Sequence, residues 1–469
     1  MLFRMEEHDA ASAAAINECG GSLTYGSLCA AAEELSAQVP KRSLVFSFCE
    51  NSFGALVGYV GFLSHQAVPL LLDRDMDERM RLNLIETYRP AYLWQPEGQQ
   101  AFGYRRVYGV FGYELLETGL GPYPLHDDLA LLITTSGSTG SPKLVRQTLR
   151  NIESNAVSIA SYLEIDAAER PITTLPMNYV YGASIVNSHL LRGATLLLTT
   201  NGLMQRQFWS FFREQRATSI AGVPYTYEML KKLRLFSMDL PSLRTMTQAG
   251  GKLLPELHRE FASFAAETGR KFIVMYGAAE ATARMGYLPA GKSLEKCGSM
   301  GIAIPGGRFS IIGEGGREIC DPRVVGELVY YGDNVTPGYA ERGEDLAKGD
   351  ERHGRLLTGD MVERDEDGFY YVVGRKKRFL KIFGNRVGLD ETERLIKARY
   401  PGLECACCGV DDLMHIFITE AGRVDEIREF VSGVTGINRA GFRVREIEEI
   451  PKNESGKTLY GKLKEYDDV

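Results

Sequence analysis

The most constraining feature of the sequence is an apolar segment that runs directly into a loop rich in glycine and hydroxyl residues. Residues 131–143 read Leu-Leu-Ile-Thr-Thr-Ser-Gly-Ser-Thr-Gly-Ser-Pro-Lys. Glycines let the backbone turn its N–H groups inward, the hydroxyls add donors, and the lysine adds a positive charge. Such a loop is suited to a polyphosphate, but it is not a Walker A loop, because Pro142 precedes Lys143 and no Ser or Thr follows it. From this segment alone, an ordinary hairpin turn remains the alternative.

Length, charge and apolar patterning limit the class of protein. At 469 residues the chain exceeds the usual size of a single core, so two or more domains are expected. The net charge of −7 argues against general nucleic-acid binding, which favours a basic surface. Residues 1–15 lack the basic-then-apolar arrangement of a signal peptide, and the longest apolar run, residues 53–63, is about half of a membrane span. We therefore expect a cytoplasmic enzyme with no nucleic-acid or membrane partner.

The eight cysteines are expected to be reduced thiols, because a long chain without a signal peptide does not favour disulfides. The cluster Cys405-Ala406-Cys407-Cys408 suggests a metal site, but it lacks a second CxxC or a nearby histidine pair. Alternation within residues 404–410 favours a buried strand of small residues instead.

Strand-like and helix-like segments alternate along most of the chain, which predicts an α/β fold. A helix is predicted after the glycine-rich loop, because apolar residues at 152, 156, 159, 160 and 163 fall at helical spacing. Buried strands are predicted at residues 45–49, 67–72, 129–135, 194–200, 219–223, 243–248 and 271–275. Beyond residue 298, short segments separated by Gly and Pro predict a β-rich subdomain. We place a boundary at the basic segment near Lys376: residues 1–376 form a large N-terminal domain of mixed sheets with packed helices, and residues 377–469 a small C-terminal α+β domain.

The glycine-rich loop and five further segments resemble the motifs of the acyl-adenylate-forming superfamily, which includes acyl-CoA synthetases, peptide-synthetase adenylation domains and luciferases. Taken singly, most of them are compositions that turns and solvated faces also show. They occur in the family's order and cover the chain from about residue 130 to 460. They are Gln248-Ala249-Gly250-Gly251, Tyr276-Gly277-Ala278-Ala279-Glu280, Leu357-Thr358-Gly359-Asp360 with Gly374-Arg375, the stretch from Lys377 to Val387, and Pro451-Lys452-Asn453-Glu454-Ser455-Gly456-Lys457.

The resemblance implies a role for each motif in binding ATP and Mg²⁺. Tyr276 stacks on adenine, Glu280 holds the magnesium ion, and Lys457 is the catalytic lysine, assisted by Lys143 and Glu280. A hard cation prefers carboxylate oxygen, so a glutamate just past a strand is chemically apt. The residues implied to contact the nucleotide are Thr135, Ser136, Gly137, Ser138, Thr139, Gly140, Lys143, Gly250, Gly251, Tyr276, Gly277, Ala279, Asp360, Arg375 and Lys457.

The basic stretch after residue 374 resembles the hinge and the segment used in thioester formation. The resemblance implies that the C-terminal domain is mobile and rotates about Lys377. Lys381 and Gly384 would then face the active site when the acyl group is transferred to CoA or to the phosphopantetheine of a carrier protein. A solvated basic face is the alternative for these charges.

The segment 175–182 resembles the motif that gates the acid-binding pocket, with Tyr179 at the position where the family often has histidine. The predicted pocket residues are Asn178, Tyr179, Tyr181, Gly182, Gly250 and Arg284. Core packing is an equal alternative for the two tyrosines, and a surface position is favoured slightly for Arg284. Residues 168–238 contain no Asp, so an α-amino acid is disfavoured, because a buried ammonium needs an acidic partner.

One residue departs from the family pattern: Ala279 stands where the family has threonine. The sequence nevertheless predicts an AMP-forming acid–thiol ligase that activates a small carboxylic acid as an acyl-adenylate, releases pyrophosphate and forms a thioester. The alternatives are an enzyme that passes the adenylate to a non-thiol acceptor, or a non-catalytic nucleotide-binding relative.

Overall fold

The fold is that of a computed structural model, which describes residues 2–134, 143–376, 378–452, 458–463 and 466, without the side chains of residues 314 and 386. The chain divides into two compact units. The first unit comprises Met1–Arg308 and Tyr330–Leu356, and the second comprises Phe309–Val329 and Leu357–Val469.

The α-helices are distributed through both units. In chain order they are α1 Tyr25–Ser36, α2 Phe53–Ser64, α3 Glu78–Tyr88, α4 Leu149–Tyr162, α5 Val180–Leu190, α6 Arg206–Glu214, α7 Pro224–Lys232, α8 Pro255–Glu267, α9 Leu389–Arg399, α10 Val424–Thr435 and α11 Tyr460–Leu463.

The strands alternate with these helices in the first half of the chain. In chain order they are β1 Ala13–Asn17, β2 Ser22–Thr24, β3 Leu44–Cys49, β4 Val68–Asp73, β5 Tyr92–Pro96, β6 Arg105–Val110, β7 Tyr113–Glu117, β8 Leu129–Thr134, β9 Leu144–Thr148, β10 Pro171–Ile172, β11 Leu196–Leu198, β12 Ser219–Gly222, β13 Thr245–Gln248, β14 Lys271–Tyr276, β15 Gly286–Tyr287, β16 Ile302–Ala303, β17 Arg308–Ile312, β18 Gly326–Tyr331, β19 Gly338–Ala340, β20 Arg355–Arg364, β21 Tyr370–Arg375, β22 Phe379–Ile382, β23 Asn385–Gly388, β24 Cys405–Val410, β25 Leu413–Ile418 and β26 Phe442–Glu446.

Two mixed sheets form the first unit. The described strands of one sheet lie in the order β19-β9-β8-β4-β3-β5-β7-β6, and those of the other in the order β16-β15-β14-β13-β12-β10-β11-β1-β2. Strands β3, β4 and β8 run parallel, as do β10, β12, β13 and β14. The apolar residues of β3, β4 and β8 are nearly continuous rather than alternating, as expected where helices cover both faces of a sheet.

Helix α4 begins where β9 ends because two side chains cap it. The Thr148 hydroxyl accepts a hydrogen bond from the Asn151 N–H, and the Asn151 side-chain oxygen accepts one from the Thr148 N–H. This capping box satisfies N–H groups that the first turn would otherwise leave unpaired. The helix buries Ile152, Ala156 and Ile159, as its apolar spacing predicts.

The second unit contains a four-stranded sheet, β17-β18-β20-β21, the hairpin β22-β23, and a three-stranded sheet, β24-β25-β26. The cysteine cluster lies in β24, which confirms the predicted strand: Cys405, Cys407 and Cys408 are buried. Burial raises the pKa of Cys405 to about 12, so the thiol is neutral at physiological pH.

The α/β fold class is confirmed, and the predicted strands are present, with ends that differ by a few residues. The short strands after residue 298 are also present. They are divided among three sheets, because β16 and β19 extend the two sheets of the first unit while β17, β18, β20 and β21 form a sheet of their own. Within the described ranges, no helix combines the length and the apolar character that crossing a membrane requires.

Candidate functional site

Several predicted site residues lie outside the described residues. They are Thr135, Ser136, Gly137, Ser138, Thr139 and Gly140 of the glycine-rich loop, together with Lys377 and Lys457. The strands on either side of the loop, β8 and β9, pair antiparallel, with Thr134 opposite Leu144. Because Lys143 directly precedes Leu144, this pairing fixes the backbone of Lys143 next to the end of β8.

The structure brings Lys143 and Glu280 into contact with the same aromatic side chain, that of Tyr339. The Lys143 ammonium lies 3.9 Å from the centroid of the Tyr339 ring and 3.0 Å from a carboxylate oxygen of Glu341. The Tyr339 hydroxyl donates a 2.5 Å hydrogen bond to Glu280 Oε1. Two residues that are 137 positions apart in the sequence (280 − 143) are thus joined through Tyr339.

Tyr339 is held as a hydrogen-bond donor. Burial first, and then its bond to the Glu280 carboxylate, raise the pKa of the phenol well above its ordinary value. The Arg352 guanidinium lies 4.5 Å from the same ring and donates a 2.5 Å hydrogen bond to the Thr336 hydroxyl. Thr336 in turn donates to the Glu280 carbonyl. The Glu280 side chain is therefore oriented both from its backbone and from its carboxylate.

The donor set around Glu280 fits a magnesium ion that is shared with a phosphate ligand. The described residues contain no group of three His, Cys, Asp or Glu side chains that would enclose a metal ion by themselves. Mg²⁺ usually keeps one or two protein carboxylates and takes its other oxygens from phosphates and water. The single oriented carboxylate of Glu280 matches that pattern.

The loops that follow β13 and β14 approach their neighbours closely. The carboxyl ends of parallel strands lie at one edge of a sheet, where ligands bind in open α/β folds. Gln248 at the end of β13 donates hydrogen bonds to the carbonyls of Ala249 and Gly251. A Cβ atom on Gly277 would lie 1.8 Å from the Ala283 carbonyl oxygen, so the loop from Tyr276 to Glu280 has this shape only with glycine there.

Gly250 lies against the predicted acid-binding pocket. Its φ of +83° is in the region that favours glycine, and a Cβ atom would lie 2.7 Å from the Tyr179 hydroxyl oxygen and 3.0 Å from Val223 Cγ1. Gly251 follows, where a Cβ atom would lie 3.0 Å from Pro224 Cγ. The glycine pair thus leaves room beside Tyr179.

The structure brings most of the predicted acid-binding residues together at helix α5. The Tyr179 and Tyr181 ring centroids are 6.4 Å apart, and the Tyr181 hydroxyl lies 2.9 Å from both oxygens of Thr247 on β13. Gly182 permits this packing, because a Cβ atom there would lie 2.1 Å from the Pro176 carbonyl oxygen. Asn178 lies at the same turn and is half-buried.

Arg284 corrects the sequence expectation of a surface residue. It is only 2% exposed, and its guanidinium carbon lies 4.5 Å from the centroid of the Tyr181 ring. After β14, residues 277–285 lead back into β15, and this connection brings Arg284 into contact with Ser184 of helix α5. The charge of Arg284 favours a position on the protein surface, but the path of the backbone places its side chain in the protein interior.

The second unit brings together the two residues that the resemblance implies for the ribose. Asp360 on β20 is paired with Arg375 on β21 in the sheet register, and Arg375 Nε lies 2.6 Å from Asp360 Oδ1. Asp360 is 4% exposed, whereas Arg375 is exposed. A buried carboxylate with a guanidinium at its edge can accept hydrogen bonds from vicinal hydroxyls.

Lys381 and Gly384 lie on the hairpin β22-β23 of the second unit, and both are exposed. The hairpin is fixed by side chains from the neighbouring turn: Asp411 accepts a hydrogen bond from the Lys381 N–H, and Asp412 accepts one from the Phe383 N–H. Gly384 has a φ of +84° at the tip, with open space around it.

The sequence analysis missed the residues that support these groups. Tyr339, which binds Glu280, and Tyr162 and Ser184, which contact Arg284, belong to no recognised motif. The sequence places Tyr162 on a predicted helix and Tyr339 after a glycine, and it gives no signal for Ser184, so none of the three is distinguished from core residues.

Comparisons with known proteins agree with this architecture. A family model described as AMP-binding enzyme matches residues 5–340. Sulfoacetate–CoA ligase of Cupriavidus necator is 29% identical over 354 residues, which are 73% of this chain and 68% of that protein. Feruloyl-CoA synthase of an Amycolatopsis species is 31% identical over 353 residues, which are 72% of this chain and 70% of that protein.

The solved structure of o-succinylbenzoate CoA synthetase (MenE) from Bacillus subtilis, in complex with the acyl-adenylate intermediate OSB-AMP, has the same fold. Its TM-score is 0.82 at 22% identity, with 99% of this chain and 97% of that chain covered. The predicted enzyme class, an AMP-forming acid–thiol ligase, is confirmed by the family and by relatives that are named CoA ligases. The chain belongs to the AMP-binding enzymes, that is, to the acyl-adenylate-forming superfamily.

Proposed function

We propose that this enzyme uses ATP to convert a small carboxylic acid to an acyl-adenylate and then forms a thioester with CoA. The observation that carries the proposal is that the Lys143 ammonium and the Glu280 carboxylate both contact Tyr339. The relatives named for CoA ligation support CoA as the acceptor. They are named for acids as different as sulfoacetate and ferulate, so their names do not select the acid.

The proposed chemistry has two steps. In the first, a carboxylate oxygen of the acid attacks the α-phosphorus of ATP, the bond to the β-phosphate oxygen breaks, and pyrophosphate leaves. The Lys457 ammonium offsets the repulsion between the carboxylate and the phosphate as charge develops, while Lys143 neutralises the leaving phosphates. Mg²⁺ held at Glu280 would supply further charge neutralisation. In the second step, the thiol sulfur attacks the acyl carbon and AMP leaves, with Lys381 and Gly384 at the thiol side.

The test is a panel of carboxylic acids with ATP, with and without CoA, in which the products are identified by mass. Thioester and AMP only when CoA is present would support the proposal. Adenylate that persists in the presence of CoA would point to the phosphopantetheine of a carrier protein or to a non-thiol acceptor. No pyrophosphate exchange with any acid would instead support a non-catalytic nucleotide-binding protein.

Substitution of Gly250 by alanine is expected to lower the rate of pyrophosphate exchange by at least about 10-fold, because the new methyl group would displace Tyr179 from the acid. Gly269→Ala is the matched control. Gly269 also has a positive φ (+67°), but nothing lies within 4 Å of the added atom. Both variants should lose about 1–2 kcal/mol of folding stability from the strained backbone. Equal activity losses in the two variants would contradict a role for Gly250 in the pocket.

Substitution of Ala279 by threonine is expected to leave the adenylation rate similar or to raise it. The hydroxyl restores a hydrogen bond to a phosphate, and such a bond to a charged group is worth roughly 1.5–3 kcal/mol. Initial rates of pyrophosphate exchange measure the effect, with Ala279→Val as a control of the same shape without the hydroxyl. A severe loss in Ala279→Thr would mean that the site is shaped around alanine.

A further inference from the structure

Arg284 is a buried cation beside the acid-binding pocket, and we propose that it binds a second oxyanion of the substrate. The enzyme would then activate acids that carry another carboxylate or a sulfonate, in preference to simple monoacids. This inference rests on the proposed function, because it assigns the substrate class of the same pocket.

The contacts of the Arg284 guanidinium are all to neutral groups. Nη1 donates to the Tyr162 hydroxyl at 3.1 Å and contacts the Met275 sulfur at 2.6 Å, and Nη2 donates to the Ser184 hydroxyl at 3.0 Å. Nε is buried and has no hydrogen-bond partner. In the part of the chain that the structure describes, Arg284 forms no ion pair with a carboxylate. Burying a charge without a counter-charge costs folding free energy, and an anionic ligand would offset that cost.

Arg284 lines a cavity between helix α5 and strands β12 and β13. Arg284, Thr247 and His189 supply polar groups, and Ile185 and Ile220 supply apolar walls. The cavity reaches the beginnings of β12 and β13 at Ser219 and Thr245, and the Tyr181 ring contacts both the Arg284 guanidinium and the Tyr179 ring. In the proposed function, an acid whose reacting carboxylate lies near Gly250 would direct its distal end past Tyr179 and Tyr181 toward Arg284.

Among the titratable groups that line the cavity, Arg284 supplies the positive charge. Burial first, and then the nearby Arg284 charge, lower the pKa of His189 to about 4, so the imidazole is neutral at physiological pH. Glu169 lines the far end of the cavity with Pro171 and Ser219, where it accepts a hydrogen bond from the Thr218 hydroxyl. The charge separation favours an anion at the Arg284 end.

The chemistry of the guanidinium favours a carboxylate or a sulfonate over other polar groups. Its planar array of N–H donors can present two parallel hydrogen bonds to an oxyanion, whereas a neutral hydroxyl or amide cannot accept them with the same strength. Stacking on Tyr181 fixes the plane of the guanidinium. The same charge repels an ammonium group, which agrees with the absence of Asp from residues 168–238.

The test compares C3–C8 dicarboxylates with their monoamides, which have nearly the same shape and one charge fewer, and sulfoacetate with methylsulfonylacetate. Pyrophosphate exchange gives kcat/KM, and the melting temperature with each acid reports binding without turnover. We expect at least one dianion to be preferred by about 100-fold over its singly charged partner. A preference for a dicarboxylate would identify the second oxyanion as a carboxylate, and a preference for sulfoacetate would identify it as a sulfonate.

Arg284→Gln should reduce that preference to about 1-fold to 3-fold, because it lowers kcat/KM for the dianion and leaves kcat/KM for the monoamide unchanged. Arg284→Lys should retain part of the preference. Arg270→Gln is the matched control, because Arg270 donates to the carbonyls of Leu240 and Leu243 in the same unit. A preference near 1 in the unmodified enzyme, or an unchanged preference in Arg284→Gln, would overturn the inference. Failure of all acids in exchange would instead overturn the proposed function, and the melting temperatures would still show whether a dianion binds at Arg284.

Discussion

Substitution of Lys457 by alanine is expected to slow acyl-adenylate formation by about 100- to 1,000-fold, the usual cost of removing a group that stabilises developing negative charge. The substitution should leave the second step largely intact, because attack of a thiol on a preformed adenylate does not require two anions to approach each other. The role of Lys457 rests on its motif, since the residue lies outside the described part of the chain.

Two assays separate these steps. Pyrophosphate exchange measures adenylation, and thioester formation from a synthetic acyl-adenylate measures transfer. Lys462→Ala, on the exposed surface of helix α11, is the control for loss of a nearby positive charge. Exchange at a near wild-type rate in Lys457→Ala would refute the assignment, and equal losses in both assays would indicate a folding defect.

Substitution of Arg378 by methionine is expected to destabilise the second unit by about 3–5 kcal/mol, because it breaks a buried ion-pair network. Arg378 donates to the carboxylates of Asp390 and Glu393, the latter at 2.7 Å, and its guanidinium carbon lies 3.7 Å from the Tyr460 ring centroid. Glu393 also accepts hydrogen bonds from the Cys407 N–H at 2.7 Å and the Tyr460 hydroxyl at 3.0 Å. In Arg378→Met, the Glu393 carboxylate stays buried and loses this ion pair.

The loss of folding stability in Arg378→Met should depend on pH. Burial raises the pKa of Glu393, and Arg378 opposes that shift, so the folded-state pKa rises further in Arg378→Met. A carboxyl whose pKa is higher in the folded state stabilises the fold below its unfolded pKa and loses that contribution as the pH rises through the folded value. The variant should therefore be less impaired at about pH 5 than at about pH 8.

Urea denaturation at both pH values measures this dependence. Arg394→Met removes an exposed ion pair with Glu391 and should cost less than about 1 kcal/mol. Adding Glu393→Gln to Arg378→Met should restore part of the lost stability. A deficit of equal size at both pH values would contradict an uncompensated carboxylate as its cause.

The sequence was sufficient for features that depend on local pattern. Continuous apolar runs predict β3 and β4, helical spacing predicts α4, and motif order predicts Lys143 and Glu280 as members of one site. These features are encoded by neighbouring residues or by short segments whose chemistry is recognisable on its own.

Other features depend on contacts between distant segments and could not be predicted. Tyr339 follows Glu280 by 59 positions and reaches it only because β19 pairs with β9 at the edge of a sheet. The burial of Arg284 depends on how the connection after β14 brings it into contact with helix α5. A charged residue in a turn usually lies at the surface, so its sequence context favoured the wrong position.

The hydrogen bond between Tyr339 and Glu280 joins two sheets as well as two side chains. Tyr339 belongs to β19 in one sheet of the first unit, whereas Glu280 follows β14 in the other. A substitution in the core between those sheets, far from any ligand, would shift one sheet along the other and change the position of this carboxylate. In the proposed function, the magnesium concentration required for half-maximal activity therefore serves as a sensitive measure of sheet alignment.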